Sequence, residues 1–454
     1  MKPLAKITGL LLLVAFTTIR PSFADENEVL ALKEQVQDLN NKLAMLEGKV
    51  GNMEGKISAA PATGAYVAPT GETGAGVLHT MLSDIHLSGY VDTQYSMALN
   101  DSTDHRTAGG VQNRPTNRGR IYDGYQDSFS VNAVELDIEK KANPEGGAGF
   151  RADIQFGEDA EINDFDANVD QATGVEDDLH LQQAYVEYVQ PLRMWDGHEV
   201  LPSSVNFKVG RFVTLAGAEV IEAKDNWNIS RSFAYGLTLP LTHTGLRTNF
   251  KMWKDFFDVY LGLVNGWDVN IDNNRGKTAE LGLGYTLFEN LSMFHAIYFG
   301  PERNDTIGQK RFLLSNVATY NVTEKLALKG EINFGHEDRV GGVASPTAAS
   351  NAENVEFSSY AGYVRYQLTD KLATAYRAEL FRDDALSRNA STGLFPATDQ
   401  DNTLFEQTLT LEYLLADNLI SRFEYRWDKS NNITAFDTDS NQQTLGAQLI
   451  YNFA

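Results

Sequence analysis

The 454-residue chain contains no cysteine. Disulfide scaffolds, thiol catalysis and cysteine-ligated metals are thereby excluded. Basic residues are scarce beside acidic ones: 38 Lys and Arg stand against 61 Asp and Glu, a formal charge of -23. A chain with that balance lacks the electrostatic footprint of a nucleic-acid binder. Its 42% hydrophobic content excludes general disorder. After residue 24 no uncharged apolar run approaches the roughly 18 residues a spanning helix needs. A β-barrel stays open, because it hides its apolar surface in alternate residues. Catalytic motifs are missing as well. There is no H-E-x-x-H, no G-x-S-x-G, no Walker loop and no G-x-G-x-x-G opening a helix. The eight histidines are scattered, with His243, His295 and His336 on separate expected strands. The reading is therefore not an enzyme and calls for no cofactor. A Ser/His/acid set gathered at a rim is the remaining catalytic alternative.

What is present begins with an export signal. Lys2 and Lys6 precede the apolar stretch Ile7 to Phe16, and Ser22-Phe23-Ala24 supplies small residues at the two positions a signal peptidase reads. Residues 1–24 read as a signal peptide. Without Lys2, Lys6 and Arg20 the rest of the chain holds 35 basic against 61 acidic residues.

Residues 25–57 read as a coiled coil. Val29, Leu32, Val36, Leu39, Leu43, Leu46, Val50, Met53 and Ile57 recur in alternating steps of three and four. A lone helix of that length is marginal in water, so the seam points to self-association. A dimer or trimer fits it, and a single amphipathic helix lying on its own domain is the alternative. Residues 58–83 are rich in Ala, Pro, Gly and Thr and read as a flexible linker.

From 84 to 454 the period changes to two. Sixteen segments are expected as strands: 84–96, 128–140, 147–157, 181–189, 204–213, 241–252, 256–266, 278–287, 290–299, 311–320, 325–334, 356–368, 371–382, 403–413, 418–428 and 442–454. Segments 290–299 and 311–320 are poorly striped. The connections alternate long and short in strict order, and the short ones carry Asn, Asp and Glu suited to tight hairpins. A soluble sandwich has no reason to sort its loops by length. A transmembrane barrel does, with short periplasmic turns, long outer loops and an even strand count.

The face chemistry agrees. In 418–428, Leu419, Ser421, Phe423, Tyr425 and Trp427 share one face, and Ile420, Arg422, Glu424, Arg426 and Asp428 share the other. Arg422, Glu424 and Arg426 together on one strand face are costly in a dry core and cheap beside a wet lumen. The last segment sets Leu445, Ala447, Leu449, Tyr451 and Phe453 on one face, with Ala454 after the final aromatic residue. The fold class expected is an all-β transmembrane antiparallel barrel of about 16 strands, preceded by a short coiled-coil helix.

Four stretches carry a family resemblance: Asn132 to Glu139, Gly149 to Phe156, Leu181 to Gln190 and Lys208 to Ser232. With them the region 84–454 resembles the putative beta-barrel porin-2 family of Gram-negative outer-membrane proteins. The resemblance implies an outer-membrane barrel passing small hydrophilic solutes. Its partners would be outer-membrane lipid and lipopolysaccharide, with the coiled coil in the periplasm supporting a homotrimer. In sixteen-strand porins the third outer loop folds inward. Here that loop is 214–240, with Glu219, Glu222, Asp225 and Arg231, and with Trp227 and Phe233 able to wedge it against the wall. The expected opposing wall charges are Arg151, Lys208, Arg211, Arg247, Arg365, Arg377, Glu379, Arg422, Glu424 and Arg426. Opposed charges across a constriction would screen solutes. The second long loop holds nine acids between 158 and 178. Within it Asp164, Asp166, Asn168 and Asp170 have calcium-loop spacing, but Val169 replaces the turn glycine and Glu176 falls one place late. A solvated acidic rim is the plainer reading, with structural calcium as its alternative. The function expected is a passive, weakly selective porin; the alternative is a structural or adhesive envelope protein whose pore is incidental.

Overall fold

The computed structural model describes residues 84–100, 117–163, 179–192, 195, 197–304, 307–340, 353–383, 402–431, 436 and 439–453. The expected signal peptide, coiled coil and linker lie outside the described residues, as do the four candidate calcium ligands.

Sixteen strands are present among the described residues. They are β1 (His86–Ala98), β2 (Ser128–Lys140), β3 (Gly147–Phe156), β4 (Leu179–Pro191), β5 (Ser204–Val213), β6 (Thr242–Met252), β7 (Phe257–Val264) and β8 (Thr278–Phe288). The second half comprises β9 (Leu291–Gly300), β10 (Arg311–Asn321), β11 (Leu326–Val340), β12 (Glu353–Gln367), β13 (Leu372–Asp383), β14 (Asn402–Ala416), β15 (Leu419–Ser430) and β16 (Asn441–Phe453). Each strand pairs antiparallel with its chain neighbours, and β1 pairs with β16 to close the barrel. Closure leaves no unpaired strand edge, the condition a β protein must meet in lipid. Both ends of the sheet lie at the short-turn end, where His86 faces Glu139 and Phe453 faces Gly89. No described helix is long and apolar enough to cross a membrane.

Each strand matches one expected segment. The main differences are at polar tips. The β11–β12 ribbon continues to the pair Val340 and Glu353, beyond the reach of any apolar stripe. On the outer wall the alternation leaves Val186, Val209, Leu263, Leu409 and Phe423 exposed. The partner set on β15, Arg422, Glu424, Arg426 and Asp428, is buried inward. The weak striping of β9 and β10 has a cause in packing. Their inward residues Ala296, Tyr298 and Leu313 join Ala216, Leu239, Trp267 and Phe357 in an apolar cluster inside the barrel, so both faces are apolar there.

One short turn departs from common geometry. Trp253, Lys254 and Asp255 have φ of 57, 55 and 62° in succession. Left-handed backbone costs a non-glycine residue about 1–2 kcal/mol. Bonds to the neighbouring turn offset this: Trp253 N–H donates to the Val200 carbonyl and Lys254 N–H to that of Glu199.

Candidate functional site

Loop 214–240 runs inside the barrel. At its start Thr214 and the Leu215 N–H meet the Tyr298 hydroxyl on β9, at 3.1 and 2.9 Å. The Gly217 N–H donates to Ser315 on β10, and the Ala218 N–H to the Glu331 carboxylate on β11. The tip is a 3-10 turn, Ala223–Asp225. There the Ala223 N–H reaches the Tyr90 hydroxyl on β1, and the Ala223 carbonyl accepts from Arg422 on β15 at 2.9 Å. A π-turn over Ala234–Thr238 brings the chain back towards β6. A segment that touches the inward residues of so many strands can only lie within the lumen.

The wall holds this loop chiefly by its backbone. Glu424 accepts from the N–H groups of Ile229 and Ser230, at 2.7 and 3.0 Å, and from the Thr410 hydroxyl at 2.7 Å. Glu379 accepts from the N–H groups of Phe233 and Ala234. Besides Arg422, two more arginines take loop carbonyls: Arg377 that of Ser230 at 2.6 Å, and Arg426 that of Arg231 at 2.5 Å. Hydrogen bonds with one ionised partner are shorter and stronger than neutral ones. The side chains add to this. Arg377 pairs with Glu219 at 2.7 Å and with Glu406 at 2.5 Å. Arg231 bonds the carbonyls of Val220, Ile221 and Ile229, bracing the loop against itself.

Two other segments join it. The helix α1 (Glu158–Asn163) follows β3, and the turn 117–126 precedes β2. Arg120 pairs with Asp428 at 2.7 Å and Asp123 at 2.5 Å, and the Tyr122 hydroxyl donates to Asn163. Tyr122, Ile221, Tyr235 and Leu241 bury one another, with Ile162 against them. Thus one part of the lumen is a dry core, in which the Arg120, Asp123 and Asp428 charges persist because they are paired and hydrogen-bonded.

The expected site residues divide accordingly. Arg377, Arg422, Arg426, Glu379, Glu424, Glu219 and Arg231 come together, buried, as the loop's mooring. Arg377 and Arg426 are 0% exposed. Trp227 lies under the Lys329 ammonium at 4.4 Å, and Phe233 under the Arg426 guanidinium at 4.8 Å, so both wedge the loop as expected. Arg247 is buried too, bidentate to Glu280 with both bonds at 2.6 Å, its plane over Phe212. Arg211 is buried and donates to the Asn163 carbonyl and Thr242. Arg151, Lys208, Glu222 and Arg365 are half-buried, and Asp225 is exposed. Arg151 is shared by Asp153 at 2.8 Å, Asp137 at 3.6 Å and Glu139 at 3.9 Å. Lys208 lies 3.9 Å above the Tyr185 ring. Arg365 pairs with Glu412 at 2.6 Å.

Three groups of residues escaped the sequence reading. Glu406, Thr408, Thr410 and Glu412 share the inward face of β14, and their two-residue spacing opposite Leu409, Leu411 and Tyr413 would have revealed them. Arg120 and Tyr122 sit in a connection, where no period marks a direction. The third group is acidic: Asp92, Glu135 and Asp159 are buried near the loop tip, each with one carboxylate oxygen lacking a hydrogen-bond partner among the described residues. Among those residues no group of three or more His, Asp or Glu is placed to hold a metal ion.

Solved structures share this architecture. The outer-membrane channel DcaP of Acinetobacter baumannii superposes with a TM-score of 0.51 at 11% identity, covering 81% of this chain and 97% of that one. An anion-selective porin from Comamonas acidovorans gives 0.50 at 11% identity, with 81% and 99% covered. At these identities the likeness is one of fold. No curated protein sequence matches the chain. Residues 84–453 match the family model described as putative beta-barrel porin-2, OmpL-like, and the chain belongs to that family.

Proposed function

We propose that the protein is an outer-membrane porin giving passive, weakly selective diffusion of small hydrophilic solutes past loop 214–240. One observation carries the reading. The barrel is closed and apolar outside, while the loop is moored chiefly across β9 to β15 and β1 and leaves charged groups of both signs accessible. In this reading the passage is bounded by Glu222, Lys224 and Asp225 on the loop tip and by Arg151, Glu187 and Lys208 on β3, β4 and β5. Mixed signs favour weak selectivity. The net charge of -23 is a poor guide to the lumen, where wall carboxylates pair with arginines. Residues 1–24 as signal peptide, 25–57 as a trimerising periplasmic coiled coil, and contact with lipopolysaccharide belong to the same proposal.

The second reading is a structural or adhesive envelope protein. The packing of turn 117–126, α1 and loop 214–240 into the lumen favours it. Planar-bilayer recording separates the two. Steady ohmic conductance, with a reversal potential well short of the ideal limit across a tenfold salt gradient, supports the porin. An inserted, folded protein that carries no current supports the envelope reading.

A further inference from the structure

On the inner face of β6–β10, at the short-turn end, lies a cavity of about 540 Å³, inside the roughly 300–1,000 Å³ of small-molecule pockets. Its wall is one register row: Lys251 faces Asp258, Asp258 faces Gly284, Gly284 faces Phe294, and Phe294 faces Val317. The row has the inward parity of Arg247 and Glu280. The glycine gives it its shape. A Cβ at Gly284 would lie 3.2 Å from Phe294 Cδ2, a tight contact that the ring would have to relieve by moving off the wall. Tyr260 lies in the same way beside Gly282, and its ring centroid is 5.8 Å from that of Phe294. The Tyr260 ring is tilted by 60° against that of Phe294 and supports it, and Phe294 is the one that lines the cavity.

Polar groups border that surface on both sides. Asp258 is fixed by two donors, Asn249 Nδ2 at 2.6 Å and the Tyr260 hydroxyl at 2.9 Å, one on each oxygen. Each oxygen keeps a second acceptor position. On the other side the next row is Thr286, Ser292 and Thr319, three hydroxyls directly opposite one another. None of these three side chains has a hydrogen-bond partner among the described residues, and all three line the cavity. Lys251 meets no carboxylate within 4 Å among those residues.

A ring platform between an oriented carboxylate and a row of hydroxyls suits a ligand with an apolar face and a polar circumference. We propose that this cavity is a subsite for a small saccharide or another cyclic polyol, held in transit; the proposal rests on the porin reading. The pyranose C–H face would lie on Phe294. Its hydroxyls would donate to Asp258 and exchange hydrogen bonds with Thr286, Ser292 and Thr319. A zwitterion such as glycine would engage only Lys251 and Asp258.

The test uses the full chain in a sugar-free detergent, with saturation-transfer NMR on glucose and, separately, on glycine. Transfer to the glucose ring protons is expected, and not to glycine. D258N should weaken glucose binding by about tenfold, the worth of one charge-assisted hydrogen bond. G284V should abolish it by displacing the Phe294 ring, and T286V provides a milder variant should G284V fail to fold. Glucose added at the short-turn side of a bilayer should produce current noise that D258N removes. Absence of glucose transfer, or transfer to glycine alone, overturns the subsite. A conducting channel without glucose transfer overturns the subsite and leaves the porin standing. Transfer without conduction upholds binding and overturns the porin.

Discussion

Removing the two carboxylates that hold loop 214–240 should widen the channel. Glu424 accepts two backbone N–H bonds and a hydroxyl, and Glu379 accepts two more N–H bonds. In the double variant E379A/E424A four buried N–H groups lose their acceptor. Each hydrogen bond to a charged group contributes about 1.5–3 kcal/mol, and each stranded donor costs about 1–3 kcal/mol. These values do not add fully, and Arg377, Arg422 and Arg426 still hold carbonyls of the same loop. A loosening of about 3–6 kcal/mol is a reasonable range from the same bonds. Amide hydrogen exchange at residues 229–234 should therefore accelerate by about a hundredfold or more. Single-channel conductance should rise, and open-channel noise with it, as the released loop samples the lumen. Unchanged exchange would refute the mooring. Faster exchange with unchanged conductance would refute the constriction, because a loop free to move would then not be what limits the current.

Other substitutions separate wet charges from dry ones. R151E and K208E, at half-buried positions, should shift the reversal potential towards cation preference, with the barrel's melting temperature nearly unchanged. R426Q should do the reverse: a small shift in potential, and an earlier loss of the heat-resistant folded band on SDS gels, because it removes one of the two arginines on Asp428 and leaves the Arg231 carbonyl without its donor. G89A should impair barrel closure, since a Cβ there would lie 2.0 Å from the Glu135 carbonyl oxygen; refolding yield measures it, and a normal yield contradicts the packing argument. Deleting 25–60 should lower the detergent-corrected mass towards that of a monomer, and a full-length monomer would end the coiled-coil proposal.

The barrel was legible because lipid imposes a strict rule on sequence. The lipid-facing side of β15 is apolar but for Ser421, so Leu419, Phe423, Tyr425 and Trp427 announce their direction. The interior obeys no comparable rule. Arg422 and Arg426 read as lumen lining since they oppose that stripe, and their inward direction is correct. Their partners are carbonyls of Ala223 and Arg231, which sit about two hundred residues earlier in the chain, and no pattern in β15 encodes them. The inward arginines also look more positive in the sequence than they are in the fold. Glu406, Glu412 and Asp428 lie on the same inner wall and pair with them. β9 and β10 failed the stripe test for a related reason: loop residues supply an apolar neighbour on the side where a bare lumen would demand polarity.

The mooring of the loop has an evolutionary corollary. Glu379, Glu424 and three wall arginines grip atoms that nearly every amino acid possesses, the amide N–H and the carbonyl. Side chains on the loop's watered edge, such as Lys224 and Asp225, are thereby uncoupled from its attachment. Lineages can exchange them to suit a new diet of solutes without re-engineering the wall. Proline is the exception at 229, 230, 233 and 234, where it would delete the very donor being held. A randomised library at 224 and 225 should consequently return mostly folded barrels with a spread of permeabilities, and one at 229–234 mostly misassembled ones.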